Sequence, residues 1–303
     1  VDYQTLVSAQ PAECEPEPMD AEDPLFVLYT SGSTGKPKGV LHTTAGYMVY
    51  TAVTHKYVFD YHENDVYFCA ADIGWITGHS YIVYAPLLHG CATVMFEGKP
   101  VGTPDAGAFW RVISENRVSV LFTAPTAFRA IKKEDPSGEH IGRYDISSLR
   151  YLFLAGERTD PDTLHWAEDK LNVPVIDHWW QTETGWSIAA NCAGIELLPI
   201  KEGSPSLPVP GWDLQVLDEA GAPTRAGEIG TLAVKLPLPP GTFPTLWNAR
   251  QRHFDSYLSR FPGYYDTSDA GIIDEDGKET WNSGRGRARD GQVLSNGNVL
   301  IAW

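Results

Sequence analysis

The chain has 303 residues, of which 43% are hydrophobic, and its 39 acidic against 23 basic residues give a net charge of −16. A chain of this length and hydrophobic content can bury a large core. A surface this acidic repels nucleic acids and anionic membranes at long range, so we expect neither as a partner. An anionic substrate therefore has to be held by local chemistry.

The cysteines and the apolar segments bear on the location of the protein. Cys14, Cys69, Cys91 and Cys192 are scattered and form no CxxC pair, which is typical of free thiols in a reducing compartment. No run of about 18 apolar residues could span a membrane, and no secretory signal is found at the start. We expect a cytoplasmic protein, with the mitochondrial matrix as the alternative. The absence of an initial Met indicates a piece of a longer protein.

The first 206 residues predict a linker followed by an α/β core. Residues 1–23 are acidic and contain Pro11, Pro16 and Pro18, which favours a linker. In residues 24–206, short apolar segments alternate with amphipathic ones, which predicts a parallel α/β sheet. The predicted strands are 25–29 (a buried strand), 66–71, 118–122, 149–155 and 173–177, and the predicted helices are 44–54, 106–116, 126–132 and 160–171. Ligands bind at the carboxyl ends of such strands.

The character of the chain changes after about residue 207. The segments 212–217 and 231–236 alternate between apolar and polar residues, and a Gly- and Pro-containing turn separates them. This pattern predicts a small antiparallel β lobe over residues 207–277. Residues 278–303 form an atypical tail.

The strongest local signal is the segment TSGSTGKPKG at residues 30–39, directly after a predicted strand. Its small residues let backbone N–H groups approach phosphate oxygens, its hydroxyls add donors, and Lys36 and Lys38 add positive charge. It is not a Walker A loop, because Gly32 lies only three residues before Gly35. The segment predicts a phosphate-binding loop of another type. Its expected ligand-binding residues are Thr30, Ser31, Gly32, Ser33, Thr34, Gly35 and Lys36.

Five motifs in this order resemble those of the adenylate-forming superfamily of acyl-CoA synthetases. They are TSGSTGKPKG (30–39), GWITGHSY (74–81), AGER (155–158), DHWWQTETG (177–185) and YDTSD (265–269). Three further segments, 101–112, 123–136 and 237–248, most resemble propionyl-CoA synthetases. The resemblance runs from about Asp2 to Gly277. It implies part of the family's large N-terminal domain, in which parallel-sheet nucleotide-binding subdomains join a small antiparallel β lobe.

The resemblance also implies an activity, which is ATP-dependent conversion of a short-chain carboxylate to an acyl-adenylate and then to acyl-CoA. ATP, Mg²⁺ and coenzyme A are the expected cofactors. A carboxylate that attacks ATP has to overcome repulsion between anions, so positioning and charge neutralisation do most of the work. The expected catalytic residues are Lys38, Thr182 and Glu183, and Glu183 is the expected Mg²⁺ ligand. The expected AMP-binding residues are Gly156, Glu157, Arg158, Asp177, His178, Trp179, Gln181, Asp269 and Arg287.

By resemblance, the acyl pocket is lined by Ile76, Thr77, Ala155 and Trp180. Trp180 is expected to form the wall that excludes long chains. Acetate-specific members tend to have Val where this chain has Ala155, so the pocket has room for about one more carbon. Because one methylene in an apolar pocket contributes only ~1–3 kcal/mol, we expect propionate to be favoured and acetate to remain possible.

The match to the family ends after Gly277. The family continues with a Gly-Arg hinge and a C-terminal lid domain, and here Arg287 and Arg285 are equally good candidates for the hinge arginine. The lid and the N-terminal part that helps to bind coenzyme A are not in this sequence, so we expect a truncated, weakly active chain. The alternatives are a non-catalytic nucleotide-binding fragment, a module of a larger multifunctional protein, and a different adenylating enzyme. Trp180 and the GWITGHSY segment argue against the last.

Overall fold

The computed structural model describes residues 2–31, 36–274, 279–282, 292–293 and 299–300. The helices are α1 (Tyr3–Ser8), α2 (Thr44–Tyr57), α3 (Ile76–Gly78), α4 (Ala85–Leu88), α5 (Ala108–Asn116), α6 (Pro125–Glu134), α7 (Pro161–Leu171) and α8 (Arg250–Tyr257), with a π-helix at His79–Tyr84 and a 3₁₀-helix at Ile141–Arg143. The strands are β1 (Pro24–Thr30), β2 (Lys38–Thr43), β3 (Val66–Cys69), β4 (Ala92–Thr93), β5 (Val120–Thr123), β6 (Tyr151–Leu154), β7 (Val175–Trp179), β8 (Ala189–Ala190), β9 (Leu207–Pro208), β10 (Leu214–Leu217), β11 (Gly230–Lys235), β12 (Thr245–Leu246), β13 (Tyr264–Ile273), β14 (Glu279–Asn282), β15 (Gln292–Val293) and β16 (Val299–Leu300).

The main sheet has the strand order β4-β3-β5-β6-β7-β8-β9. Neighbours from β4 to β7 run parallel, and β8 and β9 extend the sheet in antiparallel orientation. Every residue of β5 and β7 is buried, which is typical of parallel strands covered on both faces. This sheet confirms the predicted α/β fold.

Each face of the main sheet carries its own hydrophobic core. On one face, Leu121 and Leu152 of the sheet pack with Trp110 of α5, Phe128 of α6 and Trp166 of α7. On the other face, alternate strand residues such as Phe122 and Phe153 pack with Phe59 and Tyr81. Because successive strand side chains point to opposite faces, one short apolar strand serves both cores. No helix in the described ranges is long and apolar enough to cross a membrane.

Helix α7 shows how the sequence fixes the segment that follows β6. The Asp160 side chain caps α7 by accepting a hydrogen bond of 2.9 Å from the Thr163 backbone N–H. Pro161 occupies the first turn, where it removes no helical hydrogen bond. Asn172, in the left-handed conformation, ends the helix. Local signals therefore fix both ends of α7, and only a short loop joins it to β6.

Among the described residues, three antiparallel sheets accompany the main sheet, with strand orders β1-β2-β12, β10-β11-β13-β14 and β15-β16. The second of these agrees with the antiparallel structure predicted from residues 212–217 and 231–236. The lobe also supplies β9 to the main sheet and β12 to the first antiparallel sheet. The domain boundaries at residues 206 and 277 stay predictions.

One expectation needs correction at the start of the chain. The segment 25–29 is a strand, as predicted, but it is not buried: β1 is mostly half-buried, and Tyr29 is 63% exposed. The reason is that, of the strands that the structure describes, β1 pairs with β2 alone, in antiparallel orientation and outside the main sheet. The predicted linker also contains a helix, α1, whose first turn is capped by the Asp2 side chain.

Helix α2 packs against the loop before β12 with almost no space between the two backbones. An ideal Cβ built on Gly46 would lie 2.1 Å from Gly241 Cα, a separation that real Cβ atoms do not show. Since both contacting groups are backbone, neither can turn aside as a side chain could. Glycine at position 46 is therefore a packing requirement.

We predict that Gly46→Ala lowers the free energy of unfolding by about 1–3 kcal/mol, because the added methyl forces α2 away from the loop. Gly142→Ala is the matched control, since a Cβ at Gly142 meets no heavy atom within 4 Å. Urea denaturation followed by circular dichroism measures both variants. Equal stability of the two variants would contradict the predicted clash.

Candidate active site

The sequence motifs converge on the edge of the main sheet formed by the carboxyl ends of its parallel strands. Strands β5, β6 and β7 run in the same direction, so their carboxyl ends lie side by side. Residues 155–158 directly follow β6, and residues 180–185 directly follow β7. The expected adenine-binding and metal-binding motifs are therefore neighbours, at the edge where α/β sheets bind ligands.

Strand β2 lies against the turn that follows β7. The His42 Nε2 atom lies 2.9 Å from the Thr182 carbonyl oxygen, and the Lys38 Nζ atom lies 3.3 Å from Glu183 Oε1. Burial lowers the pKa of His42 to about 4, so the ring is neutral at pH 7. A carbonyl oxygen can only accept, so Nε2 carries the proton and donates. Because Lys38 pairs with Thr30 across the hairpin, both ends of the predicted phosphate loop lie beside this turn.

Lys38, Tyr257 and Glu183 form a compact polar cluster. The Lys38 ammonium donates to the Tyr257 hydroxyl, and this hydroxyl donates to Glu183 Oε1 at 2.5 Å. Tyr257 is only 4% exposed, and its burial together with the Glu183 charge raises its pKa above the ordinary value. Sequence reasoning missed Tyr257, which lies in α8 outside all five motifs and 219 residues away from Lys38.

A second network joins the end of β7 to β13. The Gln181 Nε2 atom donates to Asp269 Oδ2 and to the Thr267 carbonyl oxygen, each at 2.7 Å. The Trp179 indole N–H also donates to Asp269 Oδ2, at 3.0 Å. The Tyr265 hydroxyl donates to Gln181 Oε1 at 3.0 Å. The expected ribose acceptor, Asp269, is thus held in place by two N–H donors from the expected AMP-binding motif.

The residues after β6 divide into an exposed rim and a buried base. Gly156 is exposed and has a φ of +100°, and Glu157 forms an ion pair with Arg129 of α6. Beneath them, Arg158 is 9% exposed. Its Nε and Nη2 atoms have no hydrogen-bond partner among the described residues, and burial lowers its pKa. Buried N–H groups without an acceptor are costly, so these donors suit an acceptor on a ligand.

Asp177 is fixed beside this base. The Thr159 backbone N–H donates to Asp177 Oδ2 at 3.2 Å, and the Thr159 hydroxyl donates to Oδ1 at 2.5 Å. Burial raises the pKa of Asp177 to about 6, against the opposing effect of these bonds and of the Arg158 charge. The Asp177 carboxylate is therefore a fixed, buried part of the wall of the site.

His178 lies on the opposite face of the sheet from Asp177, because the two residues are consecutive in β7. Its ring is 1% exposed and packs against Phe122 and Phe59, with centroid distances of 4.9 and 5.3 Å. Burial lowers the pKa of His178 to about 3. The structure places this expected AMP-binding residue in the hydrophobic core beneath Trp180.

Two of the four expected acyl-pocket residues, Ala155 and Trp180, lie at the same edge of the sheet. Trp180 is 8% exposed and packs on Tyr81, with ring centroids 5.0 Å apart. Ala155 is 6% exposed and belongs to the same hydrophobic cluster as Trp180. Ile76 is buried and Thr77 is half-buried in α3, which leads into the π-helix that carries Tyr81.

Glu183 has the chemistry expected of a Mg²⁺ ligand. Both of its contacts fall on Oε1, and no described residue bonds to Oε2. Across the described ranges, no three His, Cys, Asp or Glu side chains cluster as a metal-binding group. Mg²⁺ commonly keeps several waters and takes one or two carboxylates together with substrate phosphates. A single carboxylate with an available oxygen fits that mode of binding.

Some expected site residues fall outside the part of the chain that the structure describes. These are Gly32, Ser33, Thr34, Gly35 and Arg287. Of the remaining loop residues, Thr30 is half-buried, and Ser31 and Lys36 are exposed. The Arg252 guanidinium of α8 donates to the Lys36 and Pro37 carbonyl oxygens at 2.5 and 2.9 Å.

Comparisons with known proteins show which sequences this chain is similar to. The family model described as "AMP-binding enzyme" matches residues 2–247. An uncharacterized protein of Pseudomonas aeruginosa is 52% identical over 272 residues, which cover 90% of this chain and 43% of that protein. The mitochondrial acyl-CoA synthetase short-chain family member 3 of Mus musculus is 47% identical over 273 residues, covering 90% and 40%. The acetyl-coenzyme A synthetase of Halorhodospira halophila is 46% identical over 288 residues, covering 93% and 43%. The chain thus spans less than half the length of these curated relatives.

We predict that His178→Phe makes the protein less sensitive to acid. The native ring binds a proton below a pKa of about 3, whereas an unfolded histidine binds one below about 6.5. Its contribution to stability is therefore complete above pH 6.5 and is lost as the pH falls towards 3. Between pH 6 and 4, the free energy of unfolding should fall less steeply in the variant than in the native chain, by up to about 1.4 kcal/mol per pH unit.

Urea denaturation at several pH values measures this slope. His165→Phe is the control, because the His165 side chain is 60% exposed. A slope in His178→Phe equal to that of the native chain would contradict the assignment of a neutral core histidine.

Proposed function

The chain belongs to the AMP-binding enzyme family, and on this basis we propose that it binds ATP and a short-chain carboxylate and forms the adenylation centre of an AMP-forming acyl-CoA synthetase. The observation that carries the proposal is the 3.3 Å contact between Lys38 and Glu183. It brings the end of the predicted phosphate loop to the turn that holds the expected metal-binding carboxylate. A cation and a metal ligand placed together suit the polyphosphate of ATP.

In the proposed reaction, a carboxylate oxygen of the acid attacks the α-phosphorus of ATP. The new bond is the acyl–phosphate bond, and the bond to the departing pyrophosphate breaks. Both reactants are anions in an acidic protein, so Lys38 and the hydroxyl donor of Thr182 have to offset their repulsion. Mg²⁺ held by Glu183 would add charge neutralisation at the phosphates. In the whole protein, the thiol of coenzyme A then displaces AMP from the acyl-adenylate.

The nucleoside part of ATP is proposed to lie across the ends of β6 and β7. Asp269, oriented by Trp179 and Gln181, would accept hydrogen bonds from the ribose hydroxyls. The exposed Gly156 offers an open surface to the adenine ring. The unpaired N–H groups of Arg158 add donors beneath that surface.

The proposed acid is propionate, with acetate as a slower substrate. Trp180 is buried against Tyr81 and would close the pocket to long chains, while the small side chain of Ala155 leaves room beside it. The names of the mouse and Halorhodospira relatives specify short-chain acids and acetate, which supports a short acid. We propose the cytoplasm as the location, with the mitochondrial matrix named for the mouse relative as the alternative.

We predict that alkyl esters of AMP, which mimic the acyl-adenylate, raise the melting temperature of this chain in a saturable manner. The ethyl, propyl and butyl esters are compared, and the propyl ester should give the largest shift. A ligand at 100 times its Kd stabilises the fold by about 2.7 kcal/mol, which a thermal-shift titration detects easily. Asp269→Asn should weaken all three esters, and Asp169→Asn, at a side chain that is 71% exposed, is the matched control. If no ester shifts the native chain, the proposed adenylate site does not exist.

We predict that Ala155→Val reverses the preference between the propyl and ethyl esters. The two added methyl carbons occupy the space of the terminal methyl of the propyl group, so the ratio of propyl to ethyl affinity should fall about tenfold. Isothermal titration calorimetry measures both affinities. Ala220→Val, in an exposed turn, controls for the substitution itself. An unchanged ratio in Ala155→Val would remove Ala155 from the acyl pocket.

A further inference from the structure

Helix α8 touches the predicted active site although no motif includes it. Arg252 bonds to the carbonyl oxygens of Lys36 and Pro37, and Tyr257 accepts a hydrogen bond from Lys38. One helix therefore contacts three consecutive residues at the end of the phosphate loop. The same Tyr257 hydroxyl donates to Glu183 Oε1 at 2.5 Å, so α8 also contacts the expected metal ligand.

The Tyr257 ring and its hydroxyl have separable roles. The ring packs against Tyr265 in a stacked arrangement and against Phe243 edge-on, both with centroid distances of 5.4 Å. Lys38 Nζ also lies 4.4 Å from the ring centroid. These contacts involve ring atoms, and a phenylalanine would preserve them. The hydroxyl, in contrast, makes the two bonds to the charged groups.

The hydroxyl affects how the two charges interact. A tyrosine hydroxyl accepts and donates at once, so it can bond to the Lys38 ammonium and to the Glu183 carboxylate together. Both Lys38 and Tyr257 contact Oε1, and no described residue bonds to Oε2. Without the hydroxyl, Lys38 would be the one described polar partner of Glu183, and a bifurcated ion pair would occupy both oxygens of the carboxylate that a metal ion needs.

We propose that Tyr257 is a positioning residue of the adenylation centre, whose hydroxyl fixes Glu183 through Oε1 and leaves Oε2 to the divalent cation that accompanies ATP. The inference rests on the proposed function, because it assigns Tyr257 a role at that same site. It predicts that the hydroxyl affects the Mg²⁺-dependent part of ATP binding and has little effect on ligands that carry no β- and γ-phosphates.

The test is isothermal titration calorimetry of ATP binding to the native chain and to Tyr257→Phe, with Mg²⁺ and with EDTA. The ratio of the two affinities defines the gain due to Mg²⁺. We expect Tyr257→Phe to lower this gain about tenfold, the size expected for a lost hydrogen bond to a charged group. Its affinity for the propyl ester of AMP should stay within about twofold of native. An unchanged gain, or an equal loss for ATP and for the ester, would overturn the proposal.

Three further variants separate positioning from general damage. Tyr61→Phe is the matched control, because it removes a hydroxyl that donates to the His89 carbonyl oxygen, before the amino end of β3, and it should keep the native gain. In Glu183→Gln the gain should fall, and adding Tyr257→Phe should lower it no further. Tyr257→His keeps an aromatic ring with an N–H donor and should retain more of the gain than Tyr257→Phe. If Tyr257→Phe does not fold, Tyr257→Leu, which also removes the hydroxyl, takes its place, and a native gain in that variant overturns the proposal.

The outcomes also distinguish this inference from the function on which it rests. A native chain that binds neither ATP nor the propyl ester contradicts the proposed function and the inference with it. A native chain that binds both ligands, with a Mg²⁺ gain that Tyr257→Phe leaves unchanged, contradicts the role of Tyr257 alone.

Discussion

The turn after β7 is the junction on which the candidate site depends. It is held from three directions: His42 of β2 binds the Thr182 carbonyl oxygen, Lys38 and Tyr257 hold Glu183, and Gln181 binds Asp269 of β13. These bonds connect the turn to β2, to α8 and to β13. Since short polar turns have several accessible conformations, these long-range bonds select the one that presents Glu183.

Charge compensation explains why the site is built in this way. The chain carries a net charge of −16, so its overall field opposes the approach of ATP and of a carboxylate. Attraction has to come from a few cations at short range. The Lys38 and Glu183 side chains are only 14% and 12% exposed, and charges shielded from water interact more strongly than charges on the surface. The two hydrophobic cores beneath give this small charged cluster a rigid base.

The sequence predicts what depends on local patterns. The strands of the main sheet are short apolar runs, and β3, β5, β6 and β7 all form within or next to the predicted segments. Helix α7 also appears where it is expected, since its cap and its end signal are local. The motifs predicted that Lys38 and Glu183 belong to one site, because the two motifs serve the same site in the family that they resemble.

What the sequence did not predict depends on partners far along the chain. Strand β2 follows a Gly- and Pro-rich loop, and its six residues form a strand by pairing with β1 and β12. Nothing in the sequence distinguishes Tyr257 from the other aromatic residues, because its contact with Lys38, 219 residues away, forms only in the folded chain. The core position of His178 follows from strand alternation once the ends of β7 are known, and its expected contact with AMP stays a prediction.

Hydrogen–deuterium exchange with and without the propyl ester of AMP tests most directly whether these separate segments form one nucleotide site. A single nucleotide site predicts that a bound ester slows exchange in all the peptides that cover residues 151–160, 177–185 and 264–270, with a common dependence on ester concentration. Protection confined to one of these segments, or located instead around residues 57–65 and 89–92 at the opposite edge of the sheet, would contradict it.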